Sequence, residues 1–232
     1  MTASRDVVFG SIRRALGSTG KEAPRVQDVA DRIAGHPRGV IPARAQLAPA
    51  ARLDLFKAMV EAAAATLDHL PDAAAVPDAV AAYLRDRNLP MTILRGGDAR
   101  LANLPWHTQP TLDVWIGASD GRQLAGLSHA FAGIAESGTV VMLSGPDNPS
   151  TLNLLPDHHL VVVNAADVTG TYEDVWTSIR AVYGPGTLPR TVNWITGPSR
   201  SADIEQTLLL GAHGPRSLHI LLVGDAPAVD LT

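Results

Sequence analysis

Residues 191–215 read TVNWITGPSRSADIEQTLLLGAHGP: an apolar run, a turn dense in Gly, Pro, Ser and Arg, and a segment closed by glycines. In the turn, Gly197, Pro198, Ser199, Arg200 and Ser201 combine exposed backbone N–H groups, two hydroxyls and a guanidinium. Backbone N–H groups at a helix start hold phosphates and carboxylates, and an arginine adds a bidentate clamp. Asp203 and Gln206 have capping-box spacing, and Asp203 and Glu205 suit the positive end of a helix dipole. The competing reading is punctuation, with Gly and Pro shaping the turn and Arg200 paired to Asp203 or Glu205. His213 is either held by backbone contacts at the end of that helix or faces the same crevice as Arg200.

Two further clusters carry chemistry. In GIAESGTVVML, Glu136 precedes a glycine that leads straight into an apolar run. A carboxylate there suits a base, a nucleophile or an orienting group, while Ser137, Gly138 and Thr139 offer hydroxyl and N–H donors. An isolated loop glutamate on the surface is the plainer alternative. In NPSTLNLLPDHHLVVV, His158 and His159 enter an apolar run side by side. Adjacent strand residues face opposite ways, so the pair does not suit one metal ion, and no H-x-H or H-x-x-x-H spacing occurs. No metal site is expected, and one histidine, His159, is taken to line a pocket.

These residues need elements to position them. Helical spacing from Ser4 to Gly17, from Leu53 to Leu67 and from Ala79 to Arg87 predicts a helical N-terminal extension over residues 1–89, with 18–45 an exposed connection. The helices are expected to pack on the main domain or on a second subunit. From residue 90 onward, six short apolar runs at 91–95, 112–117, 139–144, 159–164, 191–196 and 218–224 read as strands. They are continuously apolar, as strands buried on both faces are. Helix-compatible segments around 123–135, 171–182 and 202–211 lie between them. The alternation predicts an α/β domain over 90–232, an open and mostly parallel sheet flanked by helices, with ligands expected at strand carboxyl ends.

Composition narrows the function. The formal charge is −4 with no basic block, which disfavours nucleic-acid binding. The 232 residues include no cysteine, so they supply neither a thiolate metal site nor a cluster ligand. G-x-G-x-x-G, Walker-type and G-x-S-x-G patterns are missing. The N-terminus lacks the apolar core of a signal peptide and no run reaches membrane-spanning length, so a cytoplasmic protein is expected.

Taken in order, GIAESGTVV, NLLPDHHLVVV, ITGPSRSADIEQTLLLGAHGP and LHILLVG resemble the LUD domain, in the branch of the lactate-utilisation protein C family. The resemblance spans roughly residues 90–224. It implies a NagB/RpiA/CoA-transferase-like fold and a role in L-lactate use, in which family proteins act with two iron–sulfur partner proteins. On that reading this chain binds no cofactor and the clusters lie in the partners. Residue by residue, Glu136 to Thr139 match the family's AETGT, with Ser137 in place of Thr. Asn153 stands where SLLP has serine, and Gly197 to Glu205 match GPSRTADIE, with Ser201 in place of Thr. Ser128 is carried over from the less distinctive segment before Glu136.

The expected function is a cluster-free subunit of lactate oxidation holding a small carboxylate, or a phosphorylated or CoA-like ligand. Glu136 is the candidate catalytic group. Ser128, Ser137, Gly138, Thr139, His159, Gly197, Pro198, Ser199, Arg200, Ser201, Asp203 and His213 are the candidate ligand contacts. The alternatives are a non-catalytic scaffold for iron–sulfur partners and a stand-alone isomerase or transferase acting on a sugar phosphate or CoA ester. A homo-oligomer is compatible with each.

Overall fold

A computed structural model describes residues 2–202, 208–211 and 213–227. The chain falls into two compact units, Met1–Val40 and Ile41–Thr232. Residues 41–89, which the sequence groups with the N-terminal helices, therefore lie with the α/β unit. The first unit carries α1 (Thr2–Ala15) and α2 (Ala23–Gly35). The second helix corrects the expected connection over 18–45: Pro24 occupies its first turn, where the missing N–H costs nothing.

The larger unit runs α3 (Pro49–Ala62), β1 (Thr66–Leu70), α4 (Val76–Asp86), β2 (Thr92–Arg95), α5 (Ala99–Ala102), β3 (Asp113–Ile116), β4 (Ala125–His129), β5 (Ala132–Ile134) and β6 (Thr139–Leu143). It continues with α6 (Ser150–Leu154), β7 (His158–Asn164), β8 (Val168–Thr169), α7 (Tyr172–Tyr183), β9 (Val192–Ile195), β10 (Arg200–Ala202), β11 (Leu208–Leu210) and β12 (Ser217–Val223). Among the described residues a six-stranded sheet has the order β1-β12-β7-β4-β2-β3, with every pairing parallel. A second sheet, β8-β5-β6-β9, mixes parallel and antiparallel pairs, and β10 and β11 pair antiparallel.

Side-chain alternation along β7 sorts the layers. Leu160 and Val162 pack with Val80 and Leu84 of α4, Ile93 and Leu221 on one face. Val161 and Val163 point the other way, toward Phe56 and Val60 of α3 and Val140 and Met142 of β6. The outer face of the second sheet is covered by Val175 and Ile179 of α7. That helix starts with a capping box between Thr171 and Asp174, which satisfies two otherwise unpaired N–H groups.

Three expectations are corrected here. The helix expected over 53–67 stops at Ala62, and Ala64, at φ 60°, turns the chain into β1, which pairs with β12 at the edge of the parallel sheet. The segment 123–135 is two buried strands, β4 and β5. Its Ala- and Gly-rich sequence fits a helix equally well by composition, and the pairing of β4 with β2 and β7 decides the matter. Of the helix expected over 202–211, the described residues Ala202 and Leu208–Leu210 are instead strand, in the antiparallel pair β10–β11 that sets Arg200 opposite Leu210. The expected Asp203–Gln206 capping box lies outside the described residues.

Candidate functional site

The loop that follows β9 forms one wall of a cavity of about 570 Å³. Thr196, Gly197, Pro198, Ser199 and Arg200 line it, with His213 and Gly214 from the turn before β12 and Asn153 and His159 opposite. This loop does follow a strand's carboxyl end, as expected, but β9 belongs to the second sheet. The parallel strands meet the cavity near their amino ends, through His159 at the second position of β7 and Leu218 at the second position of β12.

Close backbone approach sets the loop. Gly197 sits at φ 70°, and a Cβ there would lie 2.1 Å from the Ala63 carbonyl oxygen at the end of α3. Only glycine fits both the left-handed backbone and that contact. The same carbonyl accepts a hydrogen bond from Nη2 of Arg200. The guanidinium is thereby held at the negative end of a helix, where a cation is favoured, and keeps further N–H donors. Ser199 spends its N–H on the carbonyl of Pro215, at 2.8 Å, and its carbonyl accepts from Gly211 N. The backbone runs on into strand β10, so a helix-start anion cradle does not form at Arg200.

The floor of the cavity is a buried polar group. Ser128 on β4 is in register with Val161 of β7, and so faces the same side as His159. Its hydroxyl donates to Oδ1 of Asn153 at 2.6 Å and stands 3.1 Å from Nε2 of His159. Gly126 makes this possible: a Cβ there would meet Pro156 Cγ at 2.9 Å and the Leu152 carbonyl at 3.0 Å. Without a side chain, β4 lets α6 approach closely enough to lay Asn153 over Ser128. His159 and Asn153 are fully buried, and burial pushes the imidazole of His159 down to about 3, so it is neutral at neutral pH. Among the described residues, Nδ1 of His159 and Nδ2 of Asn153 have no hydrogen-bond partner.

The Glu136–Thr139 segment lies beside this cavity rather than in its lining. Glu136 is buried, and its Oε1 accepts from the N–H of Tyr172, the first residue of α7, at 2.9 Å. Gly138, at φ 67°, passes so near α3 that a Cβ would lie 2.4 Å from the Val60 nitrogen. Ser137, Thr139 and Tyr172 share a hydroxyl cluster with mutual distances of 2.7–3.0 Å. The cluster reaches the cavity through Thr196, 2.6 Å from Thr139. Thus the structure brings Gly197, Pro198, Ser199, Arg200, His159 and His213 onto one cavity, with Ser128 directly behind it. It sets Ser137, Gly138 and Thr139 one layer away and Glu136 at a helix start. The side chain of Ser201, and Asp203 altogether, lie outside what is described.

Sequence reasoning missed Asn153, noted only as a departure from serine. It also missed a smaller cavity of about 170 Å³ near the carboxyl ends of the parallel strands, lined by Arg100, His129 and Asn164. There the Ala130 carbonyl lies 2.9 Å from Nδ1 of His129, which must therefore carry the ring hydrogen. Among the described residues no group of three or more His, Asp or Glu side chains is placed to hold a metal, and no helix is long and apolar enough to cross a membrane.

Comparisons with known proteins converge. The profile of the family described as "LUD domain" matches residues 53–223. A "Lactate utilization protein C" of Shouchella clausii is 30% identical over 125 residues, covering 51% of this chain and 55% of that protein. One of the same name from Bacillus subtilis is 38% identical over 101 residues, covering 43% and 42%. The matches thus take in about half the length of these curated relatives. The crystal structure of a DUF162 family protein from Deinococcus radiodurans superposes with a TM-score of 0.57 at 26% identity, covering 77% of this chain and 99% of that one.

Proposed function

The chain belongs to the LUD domain family, and from that membership we propose that it serves L-lactate utilisation by holding a small carboxylate in the cavity beside Arg200. The relatives named for lactate utilisation support the role. The observation that carries the binding reading is the anchoring of Arg200 by the Ala63 carbonyl on the cavity wall. The guanidinium has N–H donors beyond the one spent on Ala63, and in this reading they meet the anionic ligand. Ser199, Thr196 and His213 line the same wall and offer polar contacts.

In this reading the chain positions its ligand and electrons leave through iron–sulfur partner proteins; with no cysteine among its 232 residues, the chain itself supplies no thiolate to a cluster. The test has two arms. Calorimetric titration with L-lactate is expected to show binding that weakens at least about tenfold in Arg200→Ala, the scale of a lost charge-assisted hydrogen bond. Unchanged affinity in that variant overturns the clamp. Deletion of the gene is expected to abolish growth on L-lactate as sole carbon source, and normal growth overturns the pathway assignment.

A further inference from the structure

We propose that β3, one edge of the parallel sheet, pairs antiparallel with β3 of a second copy of this chain, joining the two sheets across a two-fold axis. Edge strands are ordinarily guarded by charge, proline or a bulge. The opposite edge, β1, carries Asp68 and His69. β3 reads Asp-Val-Trp-Ile, with neither lysine nor proline. Its Trp115 and Ile116 are 48% and 64% exposed. Its single charge, Asp113, is engaged within the strand, where Oδ2 accepts from Nε1 of Trp115 at 2.7 Å.

The backbone fixes which groups face outward. The N–H of Asp113 donates to the Met91 carbonyl at 2.8 Å, and that of Gly117 to the Arg95 carbonyl at 2.9 Å. Alternation turns Trp115 toward β2 as well and leaves the N–H and C=O of Val114 and Ile116 pointing away from the sheet. Among the described residues none of these groups has a hydrogen-bond partner. A two-fold axis at Trp115 sets Val114 against Ile116 of the second copy, and each such pair exchanges both N–H···O=C bonds. Apolar side chains then meet on both faces. Val114 meets Ile116 on one; on the other, Trp115 meets its own counterpart, beside the groove of about 190 Å³ that it lines with Leu94 and Leu124. Asp113 falls opposite Gly117, so like charges do not face each other. The strand complements itself along its length, as a two-fold interface requires, and this selects a second copy over an unrelated strand.

The contact is small, so a Kd on the order of 10 µM is expected, read by sedimentation velocity of the full-length chain from about 1 to about 200 µM. Ile116→Lys, which places a charge on the edge, is expected to raise that Kd at least about tenfold. Val114→Pro removes an outward N–H and no bond to β2, and is expected to do the same. A Tm at about 1 µM that matches the original shows that each variant folds. The chain has no cysteine, so Trp115→Cys reports the register. Cα atoms of such a non-hydrogen-bonded pair lie about 4.5 Å apart, within disulfide reach. Oxidation is therefore expected to link two copies, whereas Val182→Cys, as exposed as Ile116, is expected to stay monomeric. A chain that is monomeric at about 200 µM overturns the proposal and leaves the edge to a strand of another protein. A dimer that survives both edge substitutions and does not cross-link through position 115 overturns it too, placing the contact elsewhere.

Discussion

The hydroxyl of Thr139 stands 2.6 Å from that of Thr196, joining the start of β6 to the first residue after β9. Thr139 is fully buried, and Tyr172 approaches it at 3.0 Å. The Glu136–Thr139 segment therefore reaches the cavity wall through a hydroxyl network rather than through its carboxylate. Thr139→Val leaves partners unpaired and is expected to cost about 1–3 kcal/mol. Thermal melts should show a fall in Tm of about 2–4 °C per kcal/mol, with Thr139→Ser recovering most of it. A valine variant as stable as the original contradicts the network's role.

Gly197 and Arg200 converge on one atom, the Ala63 carbonyl oxygen. Gly197→Ala forces a Cβ into that atom from a left-handed backbone, which is expected to destabilise by about 1–3 kcal/mol and to displace the arginine's anchor. The measurements are Tm and L-lactate affinity, and both are expected to fall. Affinity that holds while Tm drops would separate the loop's backbone from the placement of Arg200.

Glu136 caps α7 through the N–H of Tyr172. Glu136→Gln keeps an acceptor but removes the charge at the positive end of the helix dipole, an expected loss of about 0.5–1 kcal/mol. Ligand affinity should stay within about threefold of the original, on the order of RT. A collapse in affinity or turnover at constant Tm would place the carboxylate in the chemistry.

Burial lowers the pKa values of His129, His158, His159 and His219 from an ordinary value of 6.5. Between the folded and unfolded values the unfolded chain binds the extra protons, so stability rises with pH there. For His159 the window runs from about 3 up to 6.5. Stability is therefore expected to be full above pH 6.5 and to decline as pH falls through 6 and 5. His159→Gln is expected to flatten that decline. A Tm that is level or rising from pH 7 to 5 would contradict these shifts.

The strands were legible where apolar residues run without a break. LVVV in β7 and ILLV in β12 cannot face water on either side, and both lie in the interior of the parallel sheet. Strands that carry polar or small residues were not. TLDHL became an edge strand because it pairs with β12, and AGLSH became a buried one because β2 and β7 flank it. Their own periodicity favours neither outcome, and strand pairing is a long-range interaction that no local window contains.

The site divides along the same line. The sequence by itself determined which residue types are at hand: the Gly197–Arg200 turn, the paired histidines, the hydroxyls of 137–139 and the absence of any thiol. Those follow from covalent chemistry and local backbone freedom. Only the tertiary structure decided which of them share a cavity. It put Arg200 at the start of a strand paired antiparallel with β11, tied it to Ala63 across 137 positions and turned Glu136 toward a helix start. It also brought Asn153 onto Ser128, because Gly126 leaves room for α6 against β4. Contacts of that kind depend on how whole elements pack, and packing is settled by the chain as a body rather than by any one stretch of it.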